Sequence, residues 1–428
     1  MDSCDMASNG DMSVRPATGS DNANRSARTL LGAVAVAALA TSSPVPSAAI
    51  ASIQIRPGID VWQAAGFHPL AGMRVGLITN DTGRSAGNTL TVTILASSPA
   101  IELAAIFSPE HGFAASLDGN VADSFDSATG LPIYSLYGDT RRPTADMLDG
   151  LDGLVFDIQD VGTRFYTYAT TLAYCMEEAA RAGIPVVVLD RPNPIGGVGI
   201  SGPVLDESLL TFVGYAPVPT RHGMTIGELA RYFNDERDIG AKLTVIRAEG
   251  WRRDMWYDET GLSWRNPSPN IRNLTEALLY PAIGPLEWTN ISVGRGTDAP
   301  FEWFGAPWIN ARELGATLNA AALPGIRFAP RHLTPTSSVH AGEECAGVEL
   351  IVTDRDTFDA GLTAATLATT LERLHAAAWD RSRLPTLWGD PAIVEQLGSG
   401  MDAHAVTASW SAALREFRRI RERYLLYD

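Results

Sequence analysis

The chain has 428 residues, 33 basic and 49 acidic, for a net charge of −16 at neutral pH. Clustered cations are what binding to nucleic acid or an anionic membrane requires, so this balance argues against both as partners. With 45% hydrophobic and 19% charged residues, the composition is that of a soluble globular chain, and its length exceeds the roughly 250–300 residues at which one core stops growing. Lys242 is the single lysine, and it sits in a strand-like run. Schiff-base, P-loop and Ser-Lys chemistry are therefore set aside.

Residues 1–51 read as a signal peptide behind a polar, disordered start. Arg25 and Arg28 precede an apolar run from Leu30 to Ala40, and small residues suited to cleavage follow at Pro46–Ala51. The run is shorter than the ~20 residues that cross a bilayer. The expectation is export to the periplasm or beyond, with no membrane segment in the mature form. Cys4 falls in the removed part. Cys175 and Cys345 remain, able to pair in an oxidising compartment, although Cys175 in its helix-like stretch reads better as a buried free thiol. The only His spacing of note is His340-x-x-Glu343, so neither a metal nor any other cofactor is expected.

From residue 58 the chain alternates β and α elements. Four short, continuously apolar runs, at 74–81, 101–110, 153–160 and 184–191, have the pattern of parallel strands buried on both faces. Each ends in polar residues: Asn80 and Asp81; Glu110 and His111; Asp157 and Asp160; Asp190, Arg191 and Asn193. In an open α/β sheet, ligands sit at the carboxyl ends of the strands, so these residues should share one rim. A helix is expected over 163–182, stopped by Gly183, and a capping box, Thr225-Ile-Gly-Glu228, should open another that runs towards Glu236. A strand at 242–247, another near 347–353, and helices near 363–378 and 409–424 complete a smaller α+β unit. The expected division is thus a catalytic domain at 52–230 and an auxiliary one at 231–428.

Gly197-Val-Gly-Ile-Ser-Gly202 matches the dinucleotide fingerprint G-x-G-x-x-G but lacks its context. A Pro-rich loop precedes it, Pro203 follows, and no acid stands about 20 residues on. Nicotinamide and flavin chemistry are set aside, and the absence of a G-x-S-x-G elbow lowers the case for an esterase. Carboxylates remain. Glu110 stands in a sharp Ser-Pro-Glu-His-Gly turn, and Asp157 and Asp160 follow a second strand, trailed by Arg164, Tyr166 and Tyr168. Two carboxyls in different environments suit glycosidic hydrolysis, one as proton donor and one as nucleophile, base or electrostatic stabiliser. Alternation along the strand leaves one of the two aspartates structural. Asn270, and then the run 286–305 with Asn290, Arg295 and Glu302, add an aromatic and polar set suited to a sugar. Arg221 and His222 are either an anion contact or a cap.

Taken together, Gly58-Ile-Asp-Val, Gly76-Leu-Ile-Thr-Asn, Phe107-Ser-Pro-Glu-His-Gly-Phe, Tyr134-Ser-Leu-Tyr-Gly, Phe156-Asp-Ile-Gln-Asp-Val-Gly-Thr-Arg-Phe-Tyr-Thr-Tyr, Leu189-Asp-Arg-Pro-Asn-Pro-Ile, Arg221-His-Gly-Met-Thr and Asn290-Ile-Ser-Val-Gly-Arg-Gly-Thr resemble the NamZ-type exo-β-N-acetylmuramidases, glycoside hydrolase family 171. The resemblance covers roughly 58–428. It implies a Rossmann-like, mostly parallel sheet domain followed by a smaller α+β domain. It also implies release of N-acetylmuramic acid from the non-reducing end of peptidoglycan fragments, with the motif glutamate falling on Glu110. One departure is visible: Phe113-Ala-Ala115 stands where a glycine is expected. The acidic lactyl group of such a substrate calls for a local cation, and Arg164, Arg191, Arg221 and Arg295 are the candidates. The alternative from another class is a periplasmic solute-binding protein for a sugar or muropeptide.

Overall fold

The computed structural model describes residues 55–428; the expected export signal lies outside the described residues. Helix α1 (Gly58–Ala64) leads into strand β1 (Arg74–Thr79), helix α2 (Thr91–Ala96) and strand β2 (Glu102–Ser108). Next come β3 (Ser124–Phe125), β4 (Pro132–Ser135), α3 (Ala145–Leu148), β5 (Gly153–Asp157), α4 (Tyr168–Ala182) and β6 (Val186–Leu189). A hairpin-like pair, β7 (Ser201–Val204) and β8 (Pro219–Arg221), precedes α5 (Ile226–Glu236) and β9 (Leu243–Ile246).

The main sheet has seven strands in the order β3-β4-β2-β1-β5-β6-β9, all parallel except β3. Its six parallel strands, counted along the chain, run 3-2-1-4-5-6, the doubly wound order, and the direction of winding reverses between β1 and β5. Alternation gives each strand two apolar faces. Val75 and Leu77 of β1, Val155 of β5 and Val187 of β6 pack against Ile59 and Trp62 of α1 and Leu95 of α2 on one side. Ile78, Phe156 and Val188 pack against Leu172 and Met176 of α4 and Leu229 and Phe233 of α5 on the other. This is why the four runs are apolar throughout rather than alternating.

The second half contains α6 (Leu274–Ile283), β10 (Trp303–Ala306), α7 (Ala311–Ala320), β11 (Ile326–Leu333), β12 (Cys345–Val352), α8 (Ala360–His375) and shorter helices to Arg421. Here the sheet is antiparallel, β10-β12-β11. Phe304, Phe328, Val348 and Leu350 of this sheet and Leu367 and Leu371 of α8 belong to the same apolar cluster as Phe156 and Leu172. One core therefore spans both halves. The expected boundary at 230/231 is corrected accordingly, since β9, which contains the run after Lys242, pairs with β6 as the last strand of the main sheet. The chain end is drawn in as well: the Tyr427 hydroxyl donates to Asp190 Oδ2 at 2.6 Å.

Local signals are realised where capping chemistry is explicit. Thr225 and Glu228 form the capping box of α5, and Gly183, at φ 74°, ends α4. Helix α4 starts later than the periodicity predicts, at Tyr168 rather than Thr163. The freed segment contributes Phe165, Tyr166 and Thr167 to the lining of a cavity. Cys175 and Cys345 are both buried free thiols.

Candidate active site

Past the carboxyl ends of β2, β4 and β5 lies a cavity of about 260 Å³. Glu110 and His111 reach it from the turn after β2, Tyr137 and Arg141 from the loop after β4, and Phe165, Tyr166 and Thr167 from the segment before α4. The loop at Thr211–Val213 and residues Ser268, Ile271, Tyr280, Glu287, Trp288, Arg295, Phe301 and Leu387 close the rest. Both halves of the chain build it. Glu110 and Glu287 are the two carboxylates that line it.

Glu110 is placed by backbone geometry. His111 and Gly112 have φ of 69° and 74°, and a non-glycine residue in the left-handed region is uncommon and strained. His111 is held there by its own ring, since Nδ1 lies 2.6 Å from the Leu117 carbonyl. A carbonyl only accepts, so Nδ1 carries the proton. Ala115, at φ 52°, adopts the same region at the stretch where a glycine was expected. Thr167, the residue just before α4, points its hydroxyl away from its own helix and donates to Glu110 Oε2 at 2.5 Å. The carboxylate thus sits by the amino end of a 15-residue helix, whose dipole favours negative charge. Tyr137 faces the same carboxylate. Burial first, then the charge and hydrogen bonding of Glu110, push its phenol up to about 12, so it stays a neutral donor near pH 7.

Tyr166 lines the cavity with its ring edge-on to Tyr168 and Tyr280, and burial pushes its phenol well above 10. Its phenol therefore stays protonated. Arg295 places Nε 2.5 Å from Glu287 Oε1 and Nη1 3.7 Å from Asp118, with Phe301 under its guanidinium at 5.3 Å. Phe165, Tyr280 and Phe301 form an edge-to-face aromatic wall. Gly284 lets the chain cross that wall, because a Cβ there would lie 2.6 Å from Phe165 Cε2.

Several residues expected at the rim are instead bound up inside the fold. Asp157, expected among the catalytic acids, is fully buried: Arg191 Nε and Nη2 bind its two oxygens at 2.5 and 2.9 Å, and the Thr91 hydroxyl donates to it. This pair fills the point between β1 and β5 where a doubly wound sheet usually holds its ligand. Asp160 accepts from the Gly162 amide at 2.8 Å and lies 3.5 Å from His222 Nε2. It closes a turn and does not line the cavity. Asn80 donates to the Tyr168 hydroxyl at 2.9 Å, and Tyr168 donates to the Pro267 carbonyl, so both brace the wall from behind. Arg164 donates to the carbonyls of Pro203 in β7, Val218 just before β8, and Leu387 and Trp388 at the end of a short helix, at 2.7–3.3 Å, tying the two halves of the chain together.

Asn193 caps a turn with the Met224 carbonyl and Ile195 amide, and His222 accepts from the Met224 amide. Arg221 donates to Ile195 and borders a separate groove. Asn270 bonds Asp118, Asn290 holds the backbone of Ala378 and Asp380, and Glu302 accepts from Asn273. Of the residues expected at the site, only Glu110, His111, Tyr166 and Arg295 line the cavity. The dinucleotide-like glycines run through a loop into β7, where the Gly197 carbonyl accepts from Arg253.

Tyr137, Arg141, Thr167, Phe212 and Glu287 are site residues that the sequence did not single out. Tyr137 lies in the Tyr134-Ser-Leu-Tyr-Gly motif, Thr167 in the motif that runs from Phe156 to Tyr168, and Glu287 in the aromatic run 286–305, so all three were within reach. Arg141 and Phe212 had no local signal.

Family models described as exo-β-N-acetylmuramidase NamZ, N-terminal and C-terminal, match residues 75–275 and 278–427. The peptidoglycan β-N-acetylmuramidase NamZ of Bacillus subtilis (strain 168) is 45% identical over 379 residues, 87% of this chain and 92% of that protein. Crystal structures of two DUF1343 family proteins from Bacteroides fragilis NCTC 9343 are similar in fold. One has a TM-score of 0.81 at 37% identity over 88% of this chain and 100% of that one. The other has a TM-score of 0.73 at 31% identity over 88% and 99%.

Proposed function

Because the chain belongs to the NamZ exo-β-N-acetylmuramidase family, we propose that it is a glycoside hydrolase that removes N-acetylmuramic acid from the non-reducing end of peptidoglycan glycan fragments. The observation that carries this reading is Glu110, a half-buried carboxyl at a strained turn, in the cavity and bound by the Thr167 hydroxyl. The relative from Bacillus subtilis is an enzyme, which sets aside the solute-binding alternative.

In this reading Glu110 is the general acid. It protonates the glycosidic oxygen as the bond to the anomeric carbon breaks, and afterwards the carboxylate takes a proton from the incoming water. Thr167 holds one oxygen and so aims the other at the leaving group. Tyr137, kept protonated, stabilises the carboxylate that forms. Glu287, fixed by Arg295, is the second carboxylate available to the positive charge that develops on the sugar ring. The aromatic wall gives the sugar's apolar face a surface. Residues 1–51 lie outside the described part, and their basic, apolar and small-residue order supports export to the compartment where peptidoglycan resides.

The experiment is hydrolysis of a chromogenic β-N-acetylmuramide, in which turnover supports the reading and binding without turnover contradicts it. Tyr137→Phe is expected to lower kcat by roughly 10-fold, the loss of one hydrogen bond to a charged group, with KM little changed. Steady-state kinetics on the same substrate check this, and a change confined to KM would move Tyr137 out of the role assigned to it.

A further inference from the structure

Of the arginines expected to hold an acidic sugar, three lie off the cavity and the fourth, Arg295, is paired within it. Arg164 is bound to carbonyls, Arg191 to Asp157, and Arg295 to Glu287, while Arg221 borders another groove. Arg141 also lines the cavity, and it differs from Arg295 in having no carboxylate partner and no side-chain hydrogen bond among the described residues. Its guanidinium lies over the Phe212 ring at 4.3 Å and near the Tyr137 ring at 5.3 Å.

The loop that carries it is fixed. Arg142, the next residue, stacks on Tyr174 at 3.6 Å and pairs with Glu177 and Glu178 of α4. The Thr140 hydroxyl donates to the Arg142 carbonyl at 2.8 Å and accepts from the Arg142 amide at 3.0 Å. Of two adjacent arginines, one therefore anchors the loop and the other is left with a free planar fork above two aromatic rings.

Stacking on a ring leaves the edge of a guanidinium open for a bidentate contact to a carboxylate. N-acetylmuramic acid differs from N-acetylglucosamine by a lactyl ether that ends in such a group. We propose that Arg141 binds the lactyl carboxylate of the substrate and thereby sets the preference for N-acetylmuramic acid. The proposal rests on the muramidase reading above. It places the lactyl group beside Tyr137, and hence on the same side of the cavity as Glu110. Phe212 is the second half of the clamp, holding the guanidinium flat so that little side-chain freedom is lost on binding.

The test compares a chromogenic β-N-acetylmuramide with its lactyl methyl ester, which keeps the shape and removes the charge. For the unaltered protein, kcat/KM is expected to fall about 10–100-fold on esterification, the size of a charge-assisted bidentate contact. Arg141→Gln should show the same loss on the acid and little difference between acid and ester, whereas Arg141→Lys should recover part of the preference. Arg141 is exposed, so its replacement leaves the fold intact, which thermal melting verifies.

Calorimetry of free N-acetylmuramic acid and its methyl ester, binding to Glu110→Gln with and without Arg141→Gln, repeats the comparison without turnover. Failure of the Glu110 assignment and failure of this one are thus told apart. If Arg141→Gln retains the preference for acid over ester, or loses activity equally on both, the proposal is wrong.

Discussion

Glu110→Gln is expected to lower kcat on a chromogenic β-N-acetylmuramide by roughly 10³-fold, within the range that positioned acid–base groups contribute. Fold and melting temperature should hardly change. The substituted amide keeps an oxygen to accept from Thr167, and the strain at His111 is in the backbone and is untouched. What is lost is the transferable proton and the interaction of a charge with the amino end of α4, worth about 0.3–1 kcal/mol. Kinetics and melting of the same preparation check both halves. Full activity in the variant removes Glu110 from the chemistry, and a large loss of stability reassigns it to the fold.

The second large effect is on stability, at a residue that sequence alone placed at the substrate. Arg191→Ala leaves Asp157 fully buried with only the Thr91 hydroxyl and no cation. Breaking one side of a buried pair costs about 3–5 kcal/mol, because the remaining charge has neither water nor a partner. Urea unfolding is expected to show that loss, and replacing both partners with apolar residues of similar volume should recover much of it. Assayed well below the unfolding midpoint, Arg191→Ala should turn over substrate at close to the original rate, because neither partner lines the cavity. Unchanged stability together with lost turnover would return Asp157 to the reaction.

That reversal shows why the candidate site was only partly legible. Strand-end carboxylates look alike in sequence whether they meet a substrate or an arginine 34 residues further on, as Asp157 does. Asp190 is another case, fully buried and accepting from Thr225, Gly227, Arg191 and Tyr427. The sheet was readable because strands apolar on both faces have no other stable placement, and α5 was readable because its capping box is local. The cavity is neither local nor periodic. Thr167 meets Glu110 across 57 positions, and Tyr280, Glu287 and Phe301 arrive from the second half through a core that ignores the expected boundary. Glu110 was legible because its Pro-Glu-His-Gly turn follows directly on a buried strand and so puts it at the carboxyl edge of the sheet, whereas Arg141 is distinguished from Arg142 only by which of them α4 engages.

An exo-acting muramidase removes one N-acetylmuramic acid residue at a time from the end of a glycan. The decisive measurement incubates the protein with a peptidoglycan-derived tetrasaccharide bearing N-acetylmuramic acid at its non-reducing end and resolves the products by mass spectrometry over time. Free N-acetylmuramic acid and a trisaccharide are expected as the first products, and neither with Glu110→Gln. Disaccharides from internal cleavage, or an unchanged tetrasaccharide that nevertheless binds, would contradict the assignment.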